Sequence, residues 1–218
     1  MNKEAKKRIE KCCNNGTESL DLTFCEIIDL SFIRNMTWLT SLTLNYNPII
    51  NVSVLENLSQ LRSLCLSGNK QLNVYSLQNL RQLTWLCITE RELPDVSFLQ
   101  NLNELTSLNL SFNQQLTHID ALQNLTKLTL LGLDRNELVD VSALQNLDQL
   151  KNLDLRYNKI TDVSPLLPLF KKGISARWHY KYMIKGIFLA GNPLDITVID
   201  KIQQENNAII EYLERLQD

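Results

Sequence analysis

Apolar positions recur along this chain with a period of about 22 residues. In the stretch 147–166, LDQLKNLDLRYNKITDVSPL, the frame is Leu147, Leu150, Leu153, Leu155, Asn158, Ile160, Val163 and Leu166. A unit this short cannot enclose its own apolar side, so it must stack on copies of itself, and a period in the twenties predicts a solenoid. The equivalent starts are Ser19, Ser41, Ser63, Trp85, Ser107, Leu130, Asn152 and Gly186, at spacings of 22, 22, 22, 22, 23, 22 and 34.

Each start opens an alternating segment whose inward leucines come in pairs, such as Leu42 with Leu44 or Leu108 with Leu110. Alternation gives a strand with one buried face, and equal spacing forces the strands to lie parallel. The expectation is an eight-stranded curved parallel sheet, a concave surface on the order of 34 Å long. Asparagines follow the strands at Asn47, Asn69, Asn113, Asn136, Asn158 and Asn192, with Cys25 and Arg91 in the same column. A buried amide both donates and accepts, which suits an inward turn of the backbone. Arg91 cannot fill that pocket, so the turn TERELPD, fixed in part by Pro94, should be distorted. Only about ten residues return the chain to the next strand, which predicts short 3₁₀ turns on the convex side.

The ends differ from the repeats. Residues 3–13 read as a helix with Ala5, Ile9 and Cys12 on one face, ended by Asn14, Asn15 and Gly16. Its basic residues suit a nucleic-acid arm, but a solenoid needs its first edge covered, and that role is preferred. From Asp195, a plausible N-cap, the pattern is helical again. Val198, Ile199 and Ile202 come first, then Ile209, Tyr212, Leu213 and Leu216. Covering the last strand is preferred over docking a partner helix. The expected organisation is a capping helix over 1–18, repeats over 19–194 with an excursion at 168–185, and capping helices over 195–218.

Composition adds little. Hydrophobic residues at 44%, charged residues at 21% and a net charge of −2 describe a folded chain with no global bias toward nucleic acid. Five cysteines without framework spacing fit a reducing compartment. The start MNKEAKKRIE has no apolar core of a signal peptide, and no apolar run approaches a membrane span, so a cytoplasmic protein is expected.

The columns of leucine and asparagine resemble leucine-rich repeat proteins of the 22-residue kind, which phosphatase-regulatory subunits and internalins also carry. The resemblance covers residues 19 to about 194. It implies an α/β leucine-rich-repeat solenoid, a right-handed superhelix with its sheet on the concave face and helical caps at both ends. Toward the end, PLLPLFKKGISARW, then GIFLAGNPLD, then NNAIIEYLERL is similar to the exit of the repeat region in bacterial Roco proteins, where a GTPase domain follows. The paired prolines of that pattern are replaced here by Asp195, Ile196 and Thr197. No GxxxxGK[ST] occurs, so the phosphate-cradling loop and its GTPase activity are not carried over.

Outward positions follow from the alternation. The middle column is Asp21, Thr43, Cys65, Cys87, Asn109, Gly132, Asp154 and Phe188. The sixth and seventh repeats bring Asp134, Arg135, Asp154, Arg156 and Tyr157 together. Arg, Tyr and Trp are enriched at interface hot spots, so the candidate protein-binding residues are Trp85, Asn109, Asp134, Arg135, Asp154, Arg156, Tyr157 and Trp178. A self-satisfied set of ion pairs is the competing account. Asp134 and Asp154 form a carboxylate pair, yet adjacent arginines should keep both ionised, which disfavours acid/base work. Cys65 and Cys87 lie on neighbouring strands and are expected as modestly exposed free thiols. In the excursion, Lys171, Lys172, Arg177, Lys181 and Lys185 interleave with Trp178, His179, Tyr180 and Tyr182. That composition suits single-stranded nucleic acid or a phosphorylated partner, and equally a loop whose rings pack on the solenoid; packing is preferred.

The expectation is a non-enzymatic, monomeric recognition module whose partner is a protein, with no cofactor, metal, small-molecule substrate, nucleic acid or membrane. A stand-alone regulatory relative of a Roco repeat domain is the alternative.

Overall fold

Every strand start expected from the spacing is the first residue of a strand. The computed structural model describes residues 1–90, 92–93, 95–177, 185–204 and 206–216. Its sheet contains β1 (Ser19–Asp21), β2 (Ser41–Thr43), β3 (Ser63–Cys65), β4 (Trp85–Cys87), β5 (Ser107–Asn109), β6 (Leu130–Gly132), β7 (Asn152–Asp154), β8 (Ala176–Arg177) and β9 (Gly186–Phe188). All neighbours are parallel and in register, so Leu20, Leu42, Leu64, Leu86, Leu108, Leu131, Leu153 and Ile187 form one buried row.

The sheet has nine strands rather than the expected eight, in the order β1-β2-β3-β4-β5-β6-β7-β9-β8. The addition comes from the excursion. Ile187 N–H donates to Ser175 C=O at 2.9 Å and Leu189 N–H to Arg177 C=O at 3.0 Å, so β8 satisfies outward backbone groups of β9. Before it, Leu167–Lys171 forms the short helix α2 in place of a loop. It buries Leu167, Leu169 and Phe170, an apolar run that can be sheltered only against the solenoid.

On the convex side the chain returns through 3₁₀ turns such as Ser97–Leu99 and Ser142–Leu144. Aspartate starts several of them. Asp140 Oδ1 accepts from the Ser142 N–H at 2.8 Å and its Oδ2 from the Ser142 hydroxyl at 2.9 Å, with the same arrangement at Asp162–Ser164, while at Asp95 a single oxygen, Oδ1, accepts from both the N–H and the hydroxyl of Ser97.

The asparagine column stitches each repeat to the one before. Asn47 Nδ2 donates to Leu22 C=O and Leu44 C=O, both at 2.9 Å, while its Oδ1 accepts from Cys25 N–H and Ile27 N–H, both at 3.0 Å. Asn136 and Asn158 repeat the pattern. Asn113 is the exception: its amide donates to Ile88 C=O and Leu110 C=O, but among the described residues its buried Oδ1 has no partner. The repeat before it is the one with arginine in the asparagine column. Arg91 and Pro94 themselves lie outside the described residues.

The helix α1 (Lys3–Asn15) starts at Asn2, whose Oδ1 accepts from Ala5 N–H, and ends at Gly16 in the left-handed conformation. It buries Ala5 and Cys12 beside β1, and Arg8 reaches the Asp21 carbonyl. At the other end Asp195 caps α3 (Ile196–Gln203), accepting from Thr197 N–H at 2.7 Å, and α4 (Asn206–Arg215) packs on α3 and α2. Val198, Ile202, Ile209 and Leu213 are buried, but Leu216, expected on the same face, is exposed because α4 ends before it.

Candidate recognition surface

The register places the middle column as expected, from Asp21 through Thr43, Cys65, Cys87, Asn109 and Gly132 to Asp154. The last member departs. Phe188 is buried, because Arg177 of β8 pairs with it and closes the sheet edge.

The acidic and basic residues of the sixth and seventh repeats do come together, and much of their charge is already paired. Arg156 Nε donates to Asp154 Oδ1 at 2.8 Å and Nη2 to Oδ2 at 2.6 Å, a two-point contact between residues two apart on one strand face. Asp154 also accepts from the Arg156 N–H at 3.2 Å. Burial pushes the Asp134 carboxyl above the usual carboxylate range, while the Ser111 hydroxyl and then Arg156 and Arg135 act against it. This corrects the expectation that the arginines dominate there: Arg135 Nε stands 4.0 Å from the carboxylate and Arg156 is committed to Asp154. Asn109 is half-buried and its Oδ1 accepts from Ser111 N–H at 3.0 Å. Trp85 is half-buried at the entry end of β4, apart from the strand exits where Arg135 and Tyr157 stand. Trp178, with the rest of the 178–184 stretch, lies outside the described residues.

Cys65 and Cys87 are buried rather than modestly exposed. The Ser67 hydroxyl lies 3.3 Å from Cys87 Sγ and 3.8 Å from Cys65 Sγ. Hydrogen bonding from Cys87, Ser67 and Asn45 holds the Cys65 thiol down at about 6 despite burial, and the same pairing pushes Cys87 up. All five cysteines are free. Among the described residues no group of three or more His, Cys, Asp or Glu could hold a metal ion.

The most exposed large side chains near this face form a column at the strand exits. Phe24, Tyr46, Gly68, Glu90, Phe112, Arg135, Tyr157 and Gly191 hold the position just before the asparagine column, and all have φ between +52° and +79°. Six non-glycine residues thus adopt the left-handed region, which costs each about 1 to 2 kcal/mol. The inward turn imposes it, because each exit N–H from Phe24 to Tyr157, Glu90 excepted, donates to the next repeat's strand. The rings then stack along the solenoid. Phe24 and Tyr46 lie 4.6 Å apart and nearly parallel, and the Arg135 guanidinium is sandwiched 5.2 Å from the Phe112 centroid and 4.5 Å from that of Tyr157. Exposures of 66% for Phe24 and 39 to 47% for Tyr46, Phe112 and Tyr157 make this a presented surface rather than core. The register read from sequence already gives this exit column as outward-facing, but only Arg135 and Tyr157 of it are binding candidates on sequence grounds. The shared position before each asparagine was the signal for Phe24, Tyr46 and Phe112.

Between the two stacks is an open pocket of about 440 Å³, lined by Tyr46, Gly68, Lys70, Glu90, Glu92, Phe112 and Gln114. The Tyr46 hydroxyl donates to Glu90 Oε2 at 2.8 Å, and Gln115 Nε2 donates to Glu92 Oε2 at 3.1 Å. In the excursion, Lys171 pairs with Glu214 at 2.7 Å and Lys172 with Asp148. Two of its cations are thus paired at the surface, one with α4 and one with the connection between the sixth and seventh repeats. No helix among the described residues is long and apolar enough to cross a membrane.

A leucine-rich repeat family model matches residues 149–170. Among solved structures, the chain is similar to an internalin (inlF) from Listeria monocytogenes, 29% identical over 88% of this chain and 51% of that one, with a TM-score of 0.69. An internalin C2 (inlC2) of the same organism is 29% identical over 86% of this chain and 78% of that one, TM-score 0.68. A leucine-rich repeat protein of Leptospira interrogans is 26% identical over 87% of this chain and 47% of that one, TM-score 0.73. The chain thus spans about half the length of two of these three structures. A search of curated proteins gives no match.

Proposed function

We propose that this leucine-rich-repeat solenoid is a non-enzymatic recognition module that binds a protein partner through its concave face and the adjoining column of strand exits. The leucine-rich repeat fold is a general scaffold for protein–protein interaction. The observation that carries the proposal is the exposed Phe112–Arg135–Tyr157 stack, because aromatic and arginine side chains held rigid before binding lose little freedom on association. Asp134, Asp154, Arg156 and Asn109 then frame the contact, with the Arg156–Asp154 pair acting as a preset polar surface and Trp85 at the opposite end of the strands. In this reading the chain works as a cytoplasmic monomer without cofactor, nucleic acid or membrane.

The test compares the wild-type chain, immobilised and exposed to host lysate, with a variant carrying Phe112→Ala, Arg135→Ala and Tyr157→Ala whose fold is verified by circular dichroism. One protein retained by the wild type and lost by the variant supports the proposal. Equal retention by both overturns the placement on this face.

A second reading, regulation of a separate GTPase in the manner of a Roco repeat domain, is favoured by one observation. The α2–β8 excursion, the Asn192-Pro193-Leu194 turn and two helices occur in that family's order. A captured partner with a GTPase domain whose hydrolysis rate changes on adding this chain would support it; a partner without such a domain would remove it.

A further inference from the structure

The gap in the exit column has the chemistry of a receptor for one side chain. We infer that the pocket between Tyr46 and Phe112 receives an arginine of the protein partner. The inference rests on the proposal that this face binds protein and specifies what the partner must carry.

The chain itself contains the precedent. In the repeat directly after Phe112, Arg135 lies between the rings of Phe112 and Tyr157 in the same column. A guanidinium is planar and weakly hydrated, so it stacks on an aromatic face where an ammonium does not. Toward Tyr46 the column lacks a ring. Gly68 has no side chain, and Glu90 leans on the Tyr46 hydroxyl, so the side of the column between Tyr46 and Phe112 stays open. Phe112 is 43% exposed although Arg135 stacks on it, so it keeps surface to offer a second guanidinium.

Charge agrees with shape. Among the described residues, Glu90 and Glu92 line the pocket against one cation, Lys70, and neither carboxylate is in an ion pair. Each is oriented by a neutral donor instead, Tyr46 or Gln115, which fixes its position without neutralising its charge. Two fixed carboxylates beside aromatic walls match the donors of a guanidinium fork. The pocket also lies beside Asn113, the residue after Phe112, whose buried Oδ1 has no partner among the described residues.

The probe is N-acetyl-arginine methylamide, titrated into the ¹⁵N-labelled chain at concentrations up to the order of 10 mM, the range for a single side chain. The expected result is saturable movement of the Gly68, Glu90 and Phe112 amide signals. The neutral citrulline analogue should produce none, the lysine analogue should bind about fivefold more weakly, and Glu90→Gln with Glu92→Gln should weaken arginine binding by about tenfold. Both substitutions are isosteric and exposed, and leave Tyr46 and Gln115 an acceptor. Absence of saturable movement overturns the inference, as does equal response to citrulline, a preference for lysine, or unchanged affinity in the glutamine variant. Because the probe needs no partner, its failure leaves the outcome of the lysate comparison with the Phe112, Arg135 and Tyr157 variant standing on its own.

Discussion

Tyr157 lies across Gly191 so closely that a β-carbon on the glycine would come within 2.4 Å of the tyrosine Cδ1. Tyr46 lies across Gly68 in the same way, at 2.3 Å. Each aromatic stack therefore ends on a glycine with φ above +70°, where backbone conformation and ring position both require the missing side chain.

Gly191→Ala should destabilise the chain by about 1 to 2 kcal/mol from the left-handed backbone alone, with a further loss as Tyr157 is displaced from Arg135. Urea denaturation checks this. In a Tyr157→Ala background the penalty should shrink to the backbone contribution; an undiminished penalty would show that the ring contact is irrelevant.

The asparagine ladder predicts unequal costs for the same substitution. Asn136→Ala strands the Asn113 N–H and two carbonyls in the core, each worth about 1 to 3 kcal/mol. Asn113→Ala loses donors only, since its Oδ1 accepts from none of the described residues, and should cost about 1 kcal/mol less than Asn136→Ala. Equal costs in denaturant titrations would contradict the ladder geometry.

Acid acts on two classes of carboxylate with opposite sign. The backbone and hydroxyl donors of Ser142 hold Asp140 below its usual range, and those of Ser97, hydroxyl first, do the same to Asp95. Their stabilisation is present above the unfolded carboxylate pKa and is lost as pH falls through the lower folded value. Asp134 is raised by burial, so its protonation on acidification stabilises the fold. Asp134→Asn should raise the melting temperature at pH 7, with the gain vanishing as pH falls through the unfolded carboxylate range. Asp140→Asn should lower it at pH 7, with the loss shrinking at the acid end. Thermal melts across that range separate the two.

One thiolate should form near pH 6 in absorbance at 240 nm, from the Cys65–Cys87 pair. Cys87→Ala removes the neighbouring thiol that contributes most to lowering Cys65 and should move that step toward the ordinary thiol range. A titration indifferent to Cys87→Ala would show that Cys87 does not hold the Cys65 thiolate.

The repeat frame was legible because a 22-residue spacing leaves parallel, in-register pairing as the one way to bury every leucine pair, and each expected start opens a strand. β8 was not, because Ala176–Arg177 carries no period and pairs with a strand that follows it in sequence. The concave columns were readable from alternation, but the fate of their charges was not. Asp154 and Arg156 pair with each other across two residues, and Arg135, at a left-handed position, lies between two rings while standing 4.0 Å from Asp134, choices set by side-chain geometry. The excursion's basic character was visible, whereas the pairing of Lys171 with α4 and of Lys172 with the sixth-to-seventh repeat connection depends on residues far away in sequence.

The order β7-β9-β8 sets the timing of assembly. On a ribosome, β8 emerges before β9, yet among the strands β9 is its one partner. As a nascent chain grows, each earlier strand can dock on its predecessor as it appears, while β8 must wait for the strand behind it to slot in between. The C-terminal edge of the sheet can therefore close only once β9 is available to both β7 and β8, next to where α4 packs on α2.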